Sequence, residues 1–304
     1  MEDVLIIGAG PAGLTASIYA IRGGLKVRII EKNVPGGQVI NTDLIENYPG
    51  FPEGISGFDL MDRIRRQAEN LGIVIENQEV IEIKSVGNTK EVYTNKERLK
   101  SKTVIIASGS NPKKLGIDGE ERFIGKGVSF CATCDGPFFK DQEVAVIGGG
   151  DSAVQEAIFL SRFVSKVYLI HRRDKLRAIK ILQQRAFKQK NINFIWDTVP
   201  TKIVGKESVE GLELKNIKDN TMSYLDVKGI FVFIGLTPNT SFLDKDIEMD
   251  KNGFIITDEV MGTSSKGIFA AGDVRSKMLR QISTAVGDGA IAAFSVARYI
   301  EESE

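Results

Sequence analysis

The residues best suited to redox chemistry are Cys131 and Cys134, which are the only two cysteines of the chain and are separated by two residues. A disulfide of such short span removes little conformational entropy from the unfolded chain, so a structural role is disfavoured. The same spacing suits thiol–disulfide exchange, because the second thiol can attack a mixed disulfide formed by the first. The pair therefore predicts a dithiol that carries two electrons each time it opens and closes.

Two other interpretations of the cysteine pair stay open. A structural zinc site needs four ligands, whereas this chain offers no second cysteine pair and only one histidine, His171. A metal would have to be shared between subunits, and we expect no resident metal. The pair could also be chemically inert.

Asp135 directly follows the second cysteine in the sequence. An ionised carboxylate at this position would repel a neighbouring thiolate, which makes it a poor activator of that sulfur. It is better suited to carry a proton, because a departing thiolate needs an acid within hydrogen-bond reach and His171 is far away in sequence. The alternative is that Asp135-Gly136 only begins a turn.

A glycine-rich dinucleotide fingerprint lies at the start of the chain. The apolar run 3–7 reads as a buried parallel strand, residues 8–13 are Gly-Ala-Gly-Pro-Ala-Gly, and residues 14–20 open a helix. The glycines allow a tight turn and close approach of a pyrophosphate to the helix N-terminus. A second strand, 26–30, ends in Glu31, a residue type that binds both ribose hydroxyls and repels a 2′-phosphate. The pattern predicts an adenine dinucleotide; a tight packing turn is the alternative.

A second fingerprint carries the opposite charge. The strand 144–147 runs into Gly-Gly-Gly-Asp-Ser-Ala at 148–153, a helix continues over 154–161, and the strand 167–170 ends in His171. Arginines follow where the first fingerprint has an acid, which favours NADP(H) because guanidinium groups bind phosphate with bidentate hydrogen bonds. The three candidates are Arg172, Arg173 and Arg177.

The basic stretch around these arginines has a second interpretation. Residues 162–190 contain ten Lys or Arg and one acid, Asp174, so the segment could be a solvated basic face or a docking patch. His171 on its own is more often structural, and beside the arginines an adenine contact is equally plausible.

Hydrophobic periodicity predicts the remaining elements. We expect a helix over 56–71, a small antiparallel sheet over 73–99, a strand over 103–109, a meander over 194–227, a strand over 229–235, a strand over 267–274 and a helix over 282–300. Pro112 and Pro238 mark two chain crossings, which suggest that the second nucleotide domain is inserted into the first. The predicted domains are 1–111 and 241–304 for the first fingerprint and 112–240 for the second. The fold class is α/β, with two Rossmann-like, three-layer dinucleotide-binding domains.

Composition restricts the class of partner. The 304 residues are 42% hydrophobic and 26% charged, as in ordinary soluble proteins, and 40 basic residues balance 40 acidic ones. This balance gives no overall field to attract nucleic acid or an anionic membrane. The start of the chain lacks a signal-peptide pattern, and no apolar run is long enough to span a bilayer. We therefore expect a cytoplasmic protein, a reducing setting that fits an exchange-active cysteine pair.

Together these motifs resemble the low-molecular-weight, bacterial type of thioredoxin reductase over essentially the whole chain. The matching segments are Gly8-Ala9-Gly10-Pro11-Ala12-Gly13, Gly36-Gly37-Gln38, Glu46-Asn47-Tyr48-Pro49-Gly50, Cys131-Ala132-Thr133-Cys134-Asp135-Gly136, His171-Arg172-Arg173 and Ala271-Gly272-Asp273-Val274. The glutathione reductase relatives place their cysteines soon after the first fingerprint, where this chain has Gly36-Gly37-Gln38. The resemblance excludes that subfamily.

The resemblance implies a NADPH-dependent flavoprotein that passes electrons through FAD and the cysteine pair to thioredoxin. Cys134 would face the flavin, Cys131 would attack the partner's disulfide, and Asp135 would handle the proton. The implied FAD residues are Gly8, Gly10, Pro11, Ala12, Gly13, Glu31, Gly37, Gln38, Asn47, Gly109, Gly272, Asp273, Arg280, Gln281 and Ile282. The implied NADPH residues are Gly148, Gly150, Asp151, Ser152, Ala153, His171, Arg172, Arg173 and Arg177.

The family also implies a homodimer, with no nucleic-acid or membrane partner. Two other functions remain possible at this point. The protein could reduce another small redoxin or receive its electrons from another donor, or it could be a nucleotide-bound redox sensor without turnover.

Overall fold

The structure of the protein is a computed structural model that describes residues 1–42, 44–244 and 246–303. The chain forms two compact units: a first unit of Met1–Asn111 with Thr237–Glu304, and a second unit of Pro112–Leu236. The boundaries between these units follow Asn111 and Leu236. The domain boundaries proposed from the sequence follow residues 111 and 240.

Both units contain strands and helices, with runs of consecutive strands over residues 75–112 and 192–238. The strands are β1 (Glu2–Ile7), β2 (Val27–Glu31), β3 (Ile75–Asn77), β4 (Val80–Val86), β5 (Thr89–Thr94), β6 (Arg98–Ile106), β7 (Ser110–Pro112), β8 (Val128–Ser129), β9 (Glu143–Ile147), β10 (Lys166–Ile170), β11 (Ile192–Ile195), β12 (Thr198–Gly205), β13 (Val209–Asn216), β14 (Met222–Asp226), β15 (Gly229–Val232), β16 (Leu236–Pro238) and β17 (Ile268–Ala270). The helices are α1 (Pro11–Arg22), α2 (Gly57–Glu69), α3 (Glu120–Phe123), α4 (Ala132–Asp135), α5 (Asp151–Leu160), α6 (Lys180–Phe187) and α7 (Ile282–Ser303). Short 3-10 turns cover Gly37–Asn41, Gly136–Phe139 and Gly272–Val274.

The first unit is built on one mixed sheet. Its strand order is β3-β2-β1-β6-β5-β4, and β17 pairs with β6. Strands β3, β2, β1, β6 and β17 pair with one another in parallel, and β5 and β4 continue the sheet beyond β6 in antiparallel pairs. Apolar side chains of β1 alternate between two cores, because Val4 and Ile6 join the cluster with α1 and α7, while Leu5 and Ile7 join the cluster on the opposite face. Burial on both faces explains why the sequence of this strand is an uninterrupted apolar run.

The second unit also contains a parallel sheet, but its antiparallel strands form a sheet of their own. Its parallel sheet has the order β11-β10-β9-β15-β8, and a separate antiparallel sheet has the order β12-β13-β14. One core lies between the parallel sheet and helices α5 and α6, and the other contains residues of the parallel and antiparallel sheets. β7 and β16 form a two-stranded sheet, and both unit boundaries fall within these two strands.

Several predicted strand assignments are wrong in pairing or length. The segment 73–99 is not one antiparallel sheet, because β3 pairs in parallel with β2 and only β4 to β6 are antiparallel. The segment 194–227 likewise begins in β11, which pairs in parallel with β10. The strands predicted over 103–109, 229–235 and 267–274 end at Ile106, Val232 and Ala270. Each stretch that was wrongly assigned to a strand contains a glycine with positive φ, Gly109 at 69°, Gly235 at 124° or Gly272 at 79°, which is incompatible with extended backbone.

Lys90 in the first unit is buried, and among the described residues its amine bonds to a hydroxyl rather than to a carboxylate. Lys90 on β5 is 5% exposed, its Nζ donates to the hydroxyl of Ser85 at 3.0 Å, and its side chain lies beside Gly267. Burial lowers the pKa of Lys90, because the charged amine loses hydration. The folded state therefore carries an unfavourable charge at neutral pH.

We expect Lys90→Met to raise the free energy of unfolding by about 1 kcal/mol at pH 7, because the buried charge is replaced by an apolar chain of similar length. A lowered folded-state pKa penalises folding only where the amine is charged, so the gain should shrink as pH rises toward the ordinary lysine pKa. Denaturant unfolding at pH 7 and pH 10 measures both effects, with the exposed Lys251→Met as control. A destabilised Lys90→Met protein would contradict the prediction.

Candidate functional site

The first fingerprint forms a strand-turn-helix in which two glycines leave no room for a side chain. Gly8 has φ 105°, and a Cβ there would overlap the carbonyl oxygen of Ala107. A Cβ at Gly13 would overlap the carbonyl oxygen of Gly8. Gly10 is the N-cap of α1, which no side chain caps, and Pro11 occupies its first turn. The free amide end of this helix is suited to a phosphate.

Glu31, at the end of β2, lies against this turn. Its Oε2 accepts the Ala9 N–H at 2.8 Å and its Oε1 accepts the Asn33 N–H at 2.9 Å. Each carboxylate oxygen has a second lone pair, so both can still accept a ribose hydroxyl. A surface cleft of about 510 Å³ contains Glu31 together with Asn33, Val34, Pro35, Ile75 and Asn77.

The predicted loop residues of the first unit lie in two further contact groups. The Gly36 N–H donates to the carbonyl of Ala9, and Gly37 comes close to Gly10. Gln38 lies farther along, where its Nε2 donates to Asn111 Oδ1 at 2.7 Å. Asn111 in turn donates to Asn239, whose N–H binds the carbonyl of Gly109.

Asn47 and Gln281, predicted from distant segments, are hydrogen-bonded to each other. Asn47 Nδ2 donates to Gln281 Oε1 at 3.1 Å. Gln281 immediately precedes Ile282, the first residue of α7. The structure therefore brings these two predicted residues together.

Asp273 is a buried carboxyl at the end of β17. It stands in the 3-10 turn Gly272–Val274, and its Oδ1 is buried without a hydrogen-bond partner among the described residues. Burial raises the pKa of Asp273, while Lys277 and Arg280 oppose that change. Gly272 has φ 79°, and a Cβ there would lie 2.9 Å from the Cβ of Ala12, so this turn reaches the start of α1.

Arg280 is held by backbone carbonyls rather than by a carboxylate. Its guanidinium donates to the carbonyls of Asp273 at 3.4 Å, Lys277 at 3.3 Å and Arg275 at 3.0 Å. It also stacks over the Phe254 ring at 4.1 Å, and burial lowers its pKa. Arg280 therefore fixes the loop between the Asp273 turn and α7.

Asp288 on α7 is a site residue that the sequence analysis missed. Its Oδ2 accepts the Gly272 N–H at 3.0 Å and the Lys277 amine at 2.7 Å, and its Oδ1 accepts from Arg275 at 2.9 Å. Its side chain is 12% exposed, so these bonds form in a partly dry environment. Asp288 thereby ties α7 to the turn that presents Asp273.

The second fingerprint has the same backbone form as the first. Gly148 has φ 151°, and a Cβ there would overlap the Phe233 carbonyl oxygen. Gly150 is the N-cap of α5, and no side chain caps this helix. Asp151 Oδ1 accepts the Ile179 N–H at 2.7 Å, which fixes the following loop against the helix start. Ser152 is exposed in the first turn and Ala153 is buried.

His171 lies under this turn, and the arginines surround it. His171 is 4% exposed, and a Cβ at Gly149 would overlap its ring. Burial lowers the pKa of His171, and Arg177, Arg173 and Arg172 lower it further. Its Nε2 is buried and has no hydrogen-bond partner among the described residues. The imidazole is therefore a neutral support for the turn at neutral pH.

The three predicted arginines are exposed beside the second fingerprint. The backbone N–H of Arg177 donates to the carbonyl of Gly149 at 2.7 Å. Its guanidinium Nη2 would lie 4.0 Å from a Cβ at Gly150. Within the part of the chain that the structure describes, Arg172, Arg173 and Arg177 make no ion pair with a carboxylate. Their guanidinium groups are accordingly available to an anionic ligand at the N-terminus of α5.

The cysteine pair is oxidised and lies in the second unit. Cys131 and Cys134 form a disulfide across the start of α4, with Cys131 as its N-cap. Both cysteines are partly exposed, so an incoming thiol or disulfide can reach this segment. The Asp135 N–H donates to the carbonyl of Cys131 at 3.1 Å, and Thr133 Oγ1 lies 3.4 Å from Cys131 Sγ.

The structure pairs Asp135 with Ser129, a residue that the sequence analysis did not select. Ser129 Oγ donates to Asp135 Oδ2 at 2.5 Å, and it accepts the Cys131 N–H at 3.0 Å. The carboxyl of Asp135 is therefore joined to the backbone of the first cysteine through one hydroxyl.

Comparison with known proteins agrees with this geometry. The sequence profile of the pyridine nucleotide-disulphide oxidoreductases matches residues 2–289. The thioredoxin reductase of Listeria monocytogenes is 48% identical over 302 residues, which are 99% of this chain and 94% of that protein. The crystal structure of thioredoxin reductase from Streptococcus pyogenes has a TM-score of 0.93 and 49% identity, and the match covers 99% of each chain. The chain belongs to the thioredoxin reductase family.

The chain also resembles, at lower identity, a reductase whose name includes ferredoxin. The ferredoxin-flavin thioredoxin reductase from Clostridium acetobutylicum is 31% identical, with a TM-score of 0.55, over 99% of this chain and 98% of that one. Membership of the thioredoxin reductase family confirms the fold class, the enzyme class and the two cofactors, FAD and NADPH, that the sequence predicted.

The first unit has the features that FAD needs. Backbone fills the space of a Cβ at Gly8 and Gly13, the N-terminus of α1 is uncapped, and Glu31 lies beside it. Asp273 Oδ1, which has no hydrogen-bond partner among the described residues, has the capacity to meet a polar ligand in the turn after β17. These residues fit FAD, which when bound supplies two-electron chemistry between a nicotinamide and a disulfide.

The second unit fits NADPH by the same tests. Its fingerprint turn has no space for a Cβ at Gly148, α5 is uncapped, and the arginines stand where a 2′-phosphate would be recognised. Across residues 1–42, 44–244 and 246–303, three or more His, Cys, Asp or Glu side chains nowhere form a group able to hold a metal ion. In the same residues no helix is long and apolar enough to cross a membrane.

We expect Asp288→Ala to weaken FAD binding by about tenfold, because the Gly272 N–H and two cations lose their common partner next to Asp273. Titration of FAD into the apoprotein, followed by flavin fluorescence, measures the dissociation constant without enzyme turnover. Glu301→Ala, on an exposed turn of the same helix, is the control. Equal FAD affinity in Asp288→Ala and the wild type would show that the Asp273 turn does not need this clamp.

Proposed function

We propose that the protein reduces the disulfide of a thioredoxin with electrons from NADPH. The observation that carries the proposal is the Cys131–Cys134 disulfide, which lies in the same unit as a dinucleotide fingerprint flanked by arginines. The fingerprint of the first unit is flanked by Glu31 instead. In this proposal the first unit binds FAD through the residues of its fingerprint, Glu31 and the Asp273 turn. The second unit binds NADPH through residues 148–153 and the three arginines.

The two cysteines have distinct roles in the exchange. With the pair reduced, the Cys131 thiolate attacks one sulfur of the partner's disulfide, and the partner's other sulfur leaves with the electron pair. Cys134 then attacks Cys131, the bond between Cys131 and the partner breaks, and the Cys131–Cys134 disulfide forms again. The partner gains two electrons and two protons and is released as a dithiol.

Asp135 supplies a proton to a departing thiolate in this cycle. Its position one residue after Cys134, in the same short helix, supports the assignment. The proton leaves Asp135 as the sulfur departs, and the carboxylate recovers a proton from water before the next turnover. His171 is a neutral, buried support in the nucleotide site and is not the acid of this exchange.

The arginine cluster favours NADPH as the electron donor over a small iron–sulfur protein. Three exposed guanidinium groups beside an uncapped helix suit a nucleotide phosphate and would be unnecessary for a protein donor. We also propose a homodimer in the cytoplasm. The family resemblance supports the dimer, and an exchange-active cysteine pair is typical of a reducing compartment. Analytical ultracentrifugation of the FAD-loaded protein tests the dimer directly.

We expect Cys134→Ser to trap thioredoxin as a mixed disulfide on Cys131, because no second thiol remains to release it. Cys131→Ser should trap far less, and both variants should lose more than about 99% of thioredoxin turnover. Non-reducing electrophoresis after reaction with oxidised thioredoxin detects the adduct. Trapping by Cys131→Ser alone would reverse the two roles.

Assays of NADPH oxidation by the unsubstituted protein, with thioredoxin or a glutaredoxin-like protein as acceptor, separate the competing functions. Turnover of a glutaredoxin-like protein without turnover of thioredoxin would change the partner. A single, non-repeating oxidation of NADPH in excess disulfide would indicate a sensor instead of a reductase.

Replacing Arg172 and Arg173 with Ala should raise KM for NADPH at least about tenfold and change KM for NADH less than about twofold, because only NADPH carries the 2′-phosphate. Steady-state kinetics with both nucleotides measures the difference. Arg185→Ala, an exposed arginine on α6, is the control for a general loss of positive charge. Equal losses with NADPH and NADH would refute phosphate recognition by these arginines.

A further inference from the structure

Ser129 is the last residue of β8 and is 4% exposed, so its hydroxyl is largely removed from water. Three polar groups lie within reach of its oxygen. It accepts the Cys131 N–H at 3.0 Å, donates to Asp135 Oδ2 at 2.5 Å, and has a second acceptor in the carbonyl of Cys131 at 3.3 Å. All of them belong to residues 131–135, the redox segment, which contains both cysteines and Asp135.

A serine hydroxyl has one proton to donate and two lone pairs that accept. The Cys131 N–H uses one lone pair of Ser129, which leaves the second lone pair and the proton. Two groups can accept the proton of Ser129, the Asp135 carboxylate and the Cys131 carbonyl. Ser129 therefore has a complete hydrogen-bonding arrangement for each of the two protonation states of Asp135.

We propose that Ser129 is a positioning residue that holds the Asp135 carboxyl in place in both its ionised and its protonated form. This inference rests on the proposed function, in which Asp135 supplies a proton to a departing thiolate. With Asp135 ionised, Ser129 donates its proton to Oδ2. With Asp135 protonated, the carboxylic acid donates to the free lone pair of Ser129, whose own proton turns to the carbonyl of Cys131.

The exchange step balances with this role. The Cys134 sulfur bonds to the Cys131 sulfur, the bond between Cys131 and the partner's sulfur breaks, and the electron pair leaves with that sulfur. The proton of Asp135 passes to the leaving thiolate, which becomes a thiol, and Asp135 becomes a carboxylate. Ser129 neither gains nor loses a proton or an electron, because its O–H only rotates from the Cys131 carbonyl to Asp135.

The hydrogen bond from the Cys131 N–H holds the oxygen of Ser129 in place while its O–H bond rotates. The Cys131 N–H bond is present in both states, so the oxygen stays fixed while its proton moves. Since Cys131 is the N-cap of α4 and Asp135 ends that helix, the serine joins both ends of the redox segment. A residue without a hydroxyl at this position would remove both bonds to the segment.

The test uses FAD-loaded protein carrying Ser129→Ala, Asp135→Asn, both changes together, and a matched pair, Ser129→Thr and Ser129→Val. The last two have side chains of the same shape and differ in the hydroxyl. Steady-state reduction of thioredoxin by NADPH gives kcat and KM, and thermal unfolding and the flavin spectrum report folding and cofactor content.

We expect Ser129→Ala to lower kcat about tenfold with KM for NADPH unchanged, since proton transfer loses alignment without loss of nucleotide binding. Ser129→Thr should exceed Ser129→Val in kcat by a similar factor. In the Asp135→Asn background, adding Ser129→Ala should lower kcat less than about twofold, because the group that it aligns is absent. If Ser129→Ala does not fold, the Thr and Val pair, each tested with Asp135 and with Asn at that position, decides the question.

Two outcomes would overturn the inference while leaving the reductase intact. One is an equal loss from Ser129→Ala in both backgrounds, which would mean that the serine acts independently of Asp135. The other is full kcat in Ser129→Ala together with a strong loss in Asp135→Asn. Full kcat in Asp135→Asn would instead refute the proton role of Asp135 in the proposed function, and the positioning role with it.

Discussion

A side chain at Gly8 would occupy the position of the Ala107 carbonyl oxygen, and one at Gly148 would occupy that of the Phe233 carbonyl oxygen. The space left by the missing Cβ lets each first strand turn sharply into a helix whose amide groups no side chain caps. Two of the proposed nucleotide residues contact these turns. The Glu31 carboxylate accepts the Ala9 N–H in the first unit, and the backbone N–H of Arg177 donates to the Gly149 carbonyl in the second.

One backbone frame thus serves two opposite charges. In the proposed function the discriminating side chains stand at the carboxyl end of the second strand of the β-α-β segment, with Glu31 ending β2 and the arginines following β10. A carboxylate there accepts hydroxyl groups and repels a phosphate, whereas guanidinium groups attract the phosphate. On this proposal the preference for one nucleotide or the other changes through a few side chains, without any change in topology.

Local patterns were enough to predict the parts of the molecule that depend on neighbouring residues. The two fingerprints, Glu31, the arginines and the cysteine pair are continuous motifs, and their strand and helix context could be seen directly in the sequence. The pairing of β3 with β2 could not, because a short strand has the same composition whether its partner is parallel or antiparallel. The predicted ends of β6 and β15 are also too late, because apolar residues such as Ala107, Phe233 and Ile234 follow the last residue of each strand.

The missed site residues have a common cause. Ser129 precedes Asp135 by six positions, and Asp288 follows Gly272 by 16. Neither separation corresponds to a known sequence motif that would indicate a hydrogen bond between the two residues. A buried serine has no distinctive sequence signal, and an acid on a helix is usually a solvated one. Their roles depend on the partner that the fold supplies, as does the neutral state of His171 beneath three arginines.

The strands β7 and β16 lie side by side, and the boundaries of the second unit fall within them. Paired strands are about 5 Å apart, so the entry and exit of the 112–236 segment are neighbours in space. A segment with adjacent ends is a cassette, which can be removed or exchanged while a short join closes the remaining chain. The cysteine pair and the arginines beside the second fingerprint both lie within this segment, so a single insertion would transfer them together to another scaffold.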